Sequence, residues 1–241
     1  MKKTNISALL LAALLLIQLL CAPVSAVTAE PAADELADAQ TAPHTPPPDP
    51  SAEADSVPED QLLSSREQFS VAAKAALLID LNTNRVVYEQ DADERVYPAS
   101  LTKIMTCLIA LENGNLSDIV TVSESALADL DEDSSVAGLV VGEQMTLENL
   151  LYCMMVVSGN DACNVIAEHV AGSVTDFVRM MNQRAYELGC TNTHFNNPHG
   201  LHDESHYTTA RDLAIITQAA LKSENFRQIV DTYEYKLPDD N

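Results

Sequence analysis

Ala75-Ala76-Leu77-Leu78-Ile79-Asp80, a polar turn at Asn82-Thr83-Asn84, and Arg85-Val86-Val87-Tyr88-Glu89 decide how the chain is read. Two apolar, β-prone runs around a turn predict a hairpin whose first strand is buried. Beyond the hairpin the pattern is helical. Pro98 precedes an apolar run from about Ser100 to Glu112, stopped by Gly114. Thr146 caps a helix whose Leu147, Leu150, Leu151, Met154 and Met155 share one face. That helix stops at Ser158-Gly159-Asn160, and another runs from about Asp161 to Ala171, where Gly172 ends it. Ser173 and Asp176 form a capping box for the next, with Val174, Phe177, Val178, Met181, Ala185 and Leu188 facing the core. Residues 190–208 read as an irregular loop. Thr209 and Asp212 box a helix running to about Leu221. A hairpin and then a block of helices predict an α+β fold.

Outward from this domain, taken as residues 66–241, the composition changes. Residues 27–65 hold seven of the eleven prolines and nine acids, with no Lys or Arg. Such a segment buries too little apolar surface to offset its chain entropy and reads as a disordered, acidic linker. Residues 1–26 combine Lys2 and Lys3, an apolar run from Ile6 to Leu20, and small residues before Ala26. That is the pattern of a secretory signal peptide cleaved after Ala26, and the run is short for a spanning helix. The chain is therefore expected to be exported, to an extracellular or cell-envelope location. A net charge of −23 repels phosphate backbones and argues against nucleic-acid partners.

Two short segments carry candidate chemistry. Ser100-Leu101-Thr102-Lys103 places a hydroxyl and an amine three residues apart at a helix start. Serine becomes a useful nucleophile when a base takes its proton, and a lysine with a lowered pKa can be that base. The helix N-terminus adds N–H groups for a developing oxyanion. Ser158-Gly159-Asn160 puts a second hydroxyl and a carboxamide at a corner between helices. Taken singly, each also reads as ordinary helix capping. His194, His199, His202 and His206, with Asp203 and Glu204, suggest a metal site. Their Pro/Gly loop lacks the helical i, i+4 geometry of a zinc motif, so no metal and no cofactor is expected. Cys107, Cys153, Cys163 and Cys190 show no C-x-x-C spacing and are expected as buried free thiols.

Taken together, several segments resemble one family. Tyr97-Pro98-Ala99-Ser100-Leu101-Thr102-Lys103-Ile104-Met105-Thr106 is similar to the active-serine segment of the D-alanyl-D-alanine carboxypeptidases, the low-molecular-mass penicillin-binding proteins. Val157-Ser158-Gly159-Asn160-Asp161-Ala162 resembles their second motif. Phe177 to Asn182, Asn192 to Leu201, and Tyr207 to Leu213 are also similar, so the resemblance runs from about residue 72 to 241. It implies a β-lactamase/penicillin-binding-protein-like transpeptidase fold and roles for the matching residues. Ser100 would attack the terminal D-Ala-D-Ala bond of a peptidoglycan stem peptide and form an acyl-enzyme. Lys103 would be its general base, Ser158 a proton relay, and Asn160 a ligand of the substrate amide and of Lys103. β-Lactams would acylate the same serine.

The family's third motif, Lys-Thr-Gly, has no match: the lysines are Lys2, Lys3, Lys74, Lys103, Lys222 and Lys236. The expectation is that residue 241 interrupts the domain before its last strands, and that any membrane-anchoring segment would lie beyond it. Two alternatives stay open. A class A β-lactamase shares the first motif, but would carry Ser-Asp-Asn in the second and needs a deacylating glutamate. A wall-bound module could keep the fold without turnover.

Overall fold

The computed structural model describes residues 71–128, 130 and 134–238. The expected signal peptide, the linker and the first residues of the expected domain lie outside them. Strands β1 (Ala76–Asp80) and β2 (Arg85–Gln90) pair antiparallel, with Ala76 opposite Gln90 and a register shift between Leu78 and Ile79. The Asp80 carboxylate accepts the Asn82 and Thr83 N–H groups at 2.8 and 3.2 Å, and Asn84 takes the left-handed φ of 55° that closes the turn. The hairpin is where the sequence places it, but its first strand is not buried. β1 packs on one helix, and its other face leaves Leu78 56% exposed. A two-stranded ribbon has only one protein-covered face to offer.

A short 3₁₀ turn, Ala99–Thr102, leads into α1 (Lys103–Asn113), so the α-helix begins three residues later than Ser100. Ala99 has φ 48°, which no α-helix admits, and the tight turn absorbs it. Three elements between α1 and the helix that Thr146 caps escaped the sequence reading. They are the short antiparallel pair β3 (Ile119–Thr121) and β4 (Gln144–Thr146), and the single-turn helix α2 (Glu124–Ala128). Strands of three residues are too short to show alternation.

The helical block matches the expectation. It comprises α3 (Leu147–Val156), α4 (Asn160–Ala171), α5 (Val174–Glu187), α6 (Ala210–Ala220) and a further short α7 (Glu224–Val230). Thr146, Ser173, Thr209 and Ser223 each accept the N–H three residues on, closing the first turns of α3, α5, α6 and α7. Caps of this kind are worth about 1 kcal/mol each. Helix α1 runs through the centre, against α3, α4, α5, α6 and α7. Met105, Leu147, Leu150, Leu151, Met154, Ile166, Phe177, Met181 and Ile216 are all but fully buried around it. Hydrophobic burial of that extent fixes the helix and, with it, the residues at its N-terminus.

Candidate active site

Ser100 sits on the 3₁₀ turn with its side chain exposed, and Lys103 opens α1, only 3% exposed. In a 3₁₀ turn residues three apart eclipse, which brings Lys103 Nζ to 3.3 Å from Ser100 Oγ. The same amine donates to Asn160 Oδ1 at 2.8 Å and to the His199 carbonyl at 2.9 Å. All three partners are uncharged. Burial of the amine, with no carboxylate among these partners, lowers its pKa from the ordinary lysine range.

The corner between α3 and α4 supplies the second hydroxyl. Ser158 Oγ lies 3.1 Å from Ser100 Oγ, and Ser158 has φ 60°, an unusual conformation for a residue with a side chain. Gly159 lets the corner close. A Cβ there would lie 2.9 Å from the Asp161 carboxylate and 3.0 Å from the Cys153 carbonyl. Asp161, 2% exposed, accepts the N–H groups of Ala137, Gly138 and Leu139 at 2.8 to 3.0 Å. Asn160 N–H donates to the Ser135 carbonyl, so segment 135–139 is fastened to the corner at both ends.

The opposite support is the loop after α5. Asn197 Oδ1 accepts the Gly200 N–H at 2.6 Å, an Asx turn that aims the His199 carbonyl at Lys103. Gly200 has φ 94°, and a Cβ there would lie 1.9 Å from the Ala99 carbonyl oxygen. The loop therefore passes directly beneath the turn that carries Ser100. Thr106 Oγ1 donates to the Pro198 carbonyl at 2.6 Å, and Thr102 Oγ1 meets His206 Nε2 at 2.8 Å. The loop is less irregular than its sequence suggests: Val96 bridges to Thr208 and His194 to Tyr207.

All four residues singled out from the sequence thus converge on one cluster of hydrogen bonds. Sequence reading missed the His199 carbonyl, Thr102, Thr106, Asp161 and Gly200. Asp161 in the first turn of a helix and the Asn197-Pro198-His199-Gly200 turn were the available signals. The histidines do not converge. His206 and His199 are buried in separate hydrogen bonds, His194 Nδ1 meets the Ser205 carbonyl, and His202 packs its ring edge-on to Tyr97. Among the described residues no group of three or more His, Cys, Asp or Glu could hold a metal ion. The four thiols at Cys107, Cys153, Cys163 and Cys190 are free and buried.

A serine, a buried lysine, a second serine and a carboxamide thus meet within hydrogen-bond distance on a mixed helix–strand scaffold. The sequence pattern of the D-alanyl-D-alanine carboxypeptidases matches residues 62–239, and the chain belongs to that family. It is 43% identical over 167 residues to the D-alanyl-D-alanine carboxypeptidase DacF of Bacillus subtilis, covering 67% of this chain and 42% of that protein. Over 163 residues it is 40% identical to DacC of Escherichia coli, covering 64% and 41%. Among solved structures, penicillin-binding protein 5 of Haemophilus influenzae aligns at 39% identity with a TM-score of 0.60, over 64% of this chain and 46% of that one. A variant of the Streptomyces K15 DD-transpeptidase aligns at 33% with a TM-score of 0.64, over 68% and 66%. The chain spans about two fifths of the length of DacF, DacC and the DacA of Haemophilus influenzae.

Proposed function

We propose that the chain carries the acylating centre of a serine D-alanyl-D-alanine carboxypeptidase that trims peptidoglycan stem peptides and binds penicillins. The observation that carries this reading is the position of Lys103 Nζ, buried and bound to Asn160 Oδ1 and the His199 carbonyl, 3.3 Å from Ser100 Oγ. As a neutral amine, Lys103 donates its two hydrogens to those oxygens. Its lone pair is then left for the Ser100 hydroxyl. Ser100 Oγ attacks the carbonyl of the terminal D-Ala-D-Ala bond as Lys103 takes its proton. Ser158, 3.1 Å from Ser100, gives its proton to the departing D-alanine nitrogen and is reprotonated by Lys103, which returns to the neutral amine. Water then cleaves the acyl ester, and a β-lactam enters by the same attack. The N-terminal sequence supports export, and a wall-facing location supplies this substrate; no described helix is long and apolar enough to cross a membrane.

The test is labelling of the full-length protein by fluorescent penicillin. Ser100→Ala abolishes it, and Lys103→Ala slows acylation by about 10³-fold while leaving the circular dichroism spectrum unchanged. Equal labelling of wild type and Ser100→Ala defeats the reading.

A further inference from the structure

His206 is one of the four histidines of residues 194–206, and its ring meets Thr102 and Asn196 rather than Ser100 or Lys103. The residue is 2% exposed, and its ring packs edge-on to Phe195 with centroids 5.6 Å apart. Nδ1 receives the Asn196 backbone N–H at 3.1 Å. A backbone N–H only donates, so Nδ1 is the acceptor and the ring hydrogen resides on Nε2. Nε2–H therefore donates to Thr102 Oγ1 at 2.8 Å. One neutral imidazole thus joins the residue before Lys103 to the start of the turn that carries the His199 carbonyl.

The joint has little slack. Three successive links run from the 99–106 segment to this loop: Thr102 to His206, Lys103 to the His199 carbonyl, and Thr106 to the Pro198 carbonyl. The loop also comes close to the Ala99 carbonyl at Gly200. A second proton on His206 would set Nδ1–H against the Asn196 N–H, donor facing donor. Asp203, His194 and His199 are the ionisable groups that face the ring, and burial outweighs Asp203 in lowering its pKa to about 4.

We infer that His206, as the Nε2–H tautomer, is a positioning residue that holds the His199 carbonyl on Lys103 Nζ and so keeps the base in its desolvated seat. This rests on the acyl-transfer reading of Lys103. Without the imidazole, Asn196 loses its acceptor, the turn loosens and water replaces the carbonyl. Lys103 then regains hydration, and its pKa rises toward the ordinary value.

The experiment compares the full-length protein with His206→Phe, which keeps the ring volume, and His206→Gln, which keeps a donor for Thr102. Lys103 is followed by ¹³Cε shift against pH, and acylation by fluorescent penicillin. His206→Phe raises the Lys103 pKa by about one unit and slows acylation about tenfold, and His206→Gln reverses most of both changes. Imidazole ¹⁵N shifts of the wild type show Nε2 protonated and Nδ1 bare. A Lys103 pKa identical in wild type and His206→Phe overturns the inference, as does an Nδ1–H tautomer. If the wild type is not acylated, the acyl-transfer reading fails, while the lysine titration still judges the role of His206. Should His206→Phe fail to fold, Thr102→Val breaks the same link from the other side and is read in the same way.

Discussion

Lys103 is held by two supports of different make. The corner at Ser158-Gly159-Asn160 joins two packed helices and offers a side chain, Asn160 Oδ1. The loop at 196–206 has almost no regular structure and offers a main-chain carbonyl, that of His199. The corner draws its rigidity from the core behind it, where Leu151, Met154, Ala162 and Ile166 are buried. The loop draws its own from hydrogen bonds, those of its own Asn197 and His206 and that of Thr106 on α1. A helix seats a side chain by position in the chain; a loop seats a carbonyl only if many small contacts agree.

Breaking the loop at its tightest point has the largest effect. Gly200→Ala places a Cβ 1.9 Å from the Ala99 carbonyl at φ 94°, so the backbone must move. A loss of about 4 kcal/mol or more in thermal unfolding, with acylation abolished, is expected. Acid acts on the loop next. His199 and His206 have pKa values lowered to about 4, chiefly by burial, from an ordinary 6.5. Both are neutral in the fold, so the unfolded chain alone takes up their protons as pH falls. Stability is full above about pH 6.5, declines down to about pH 4, and changes no further from these groups below it. Each histidine contributes roughly 3 kcal/mol to that decline, measurable by urea unfolding across the range.

Changes at the corner sharpen the contrast from the other side. Asn160→Ala removes one acceptor from a buried amine and slows acylation by about 10²-fold, roughly 2–3 kcal/mol, with the fold retained. The smallest expected effect is Thr106→Val, which leaves the Pro198 carbonyl without its donor. It costs about 1–2 kcal/mol in stability and slows acylation less than Asn160→Ala does. The reverse order for these two variants would mean that the loop, not the corner, seats the lysine.

The same contrast sets what is legible in the sequence. The corner is readable because helix periodicity in α3, capped at its start by Thr146, breaks at Ser158-Gly159-Asn160. The Ser100 turn is readable from Pro98 and the Ser100–Lys103 spacing, although the left-handed Ala99 that shortens α1 is not. A carbonyl has no signature in sequence, since every residue carries one. His199 therefore draws notice for its imidazole rather than for the oxygen that meets Lys103. The short strands β3 and β4 escape because pairing, not pattern, makes them strands. Burial of β1 is overestimated because an apolar run says nothing of how many neighbours it will have.

The four buried cysteines give the protein a built-in gauge. Burial pushes the thiols of Cys107, Cys163 and Cys190 up to about 12 and that of Cys153 up to about 11. At neutral pH they are sterically enclosed and almost wholly un-ionised, so an alkylating reagent must wait for the structure to open. Cys163 lies in the first turn of α4 with its Sγ on the Gly159 carbonyl, and Cys190 lies behind the loop against the Asp212 carbonyl. Alkylation clocked separately at these two positions times how often each support of the lysine lets go, with no label added to the molecule beforehand.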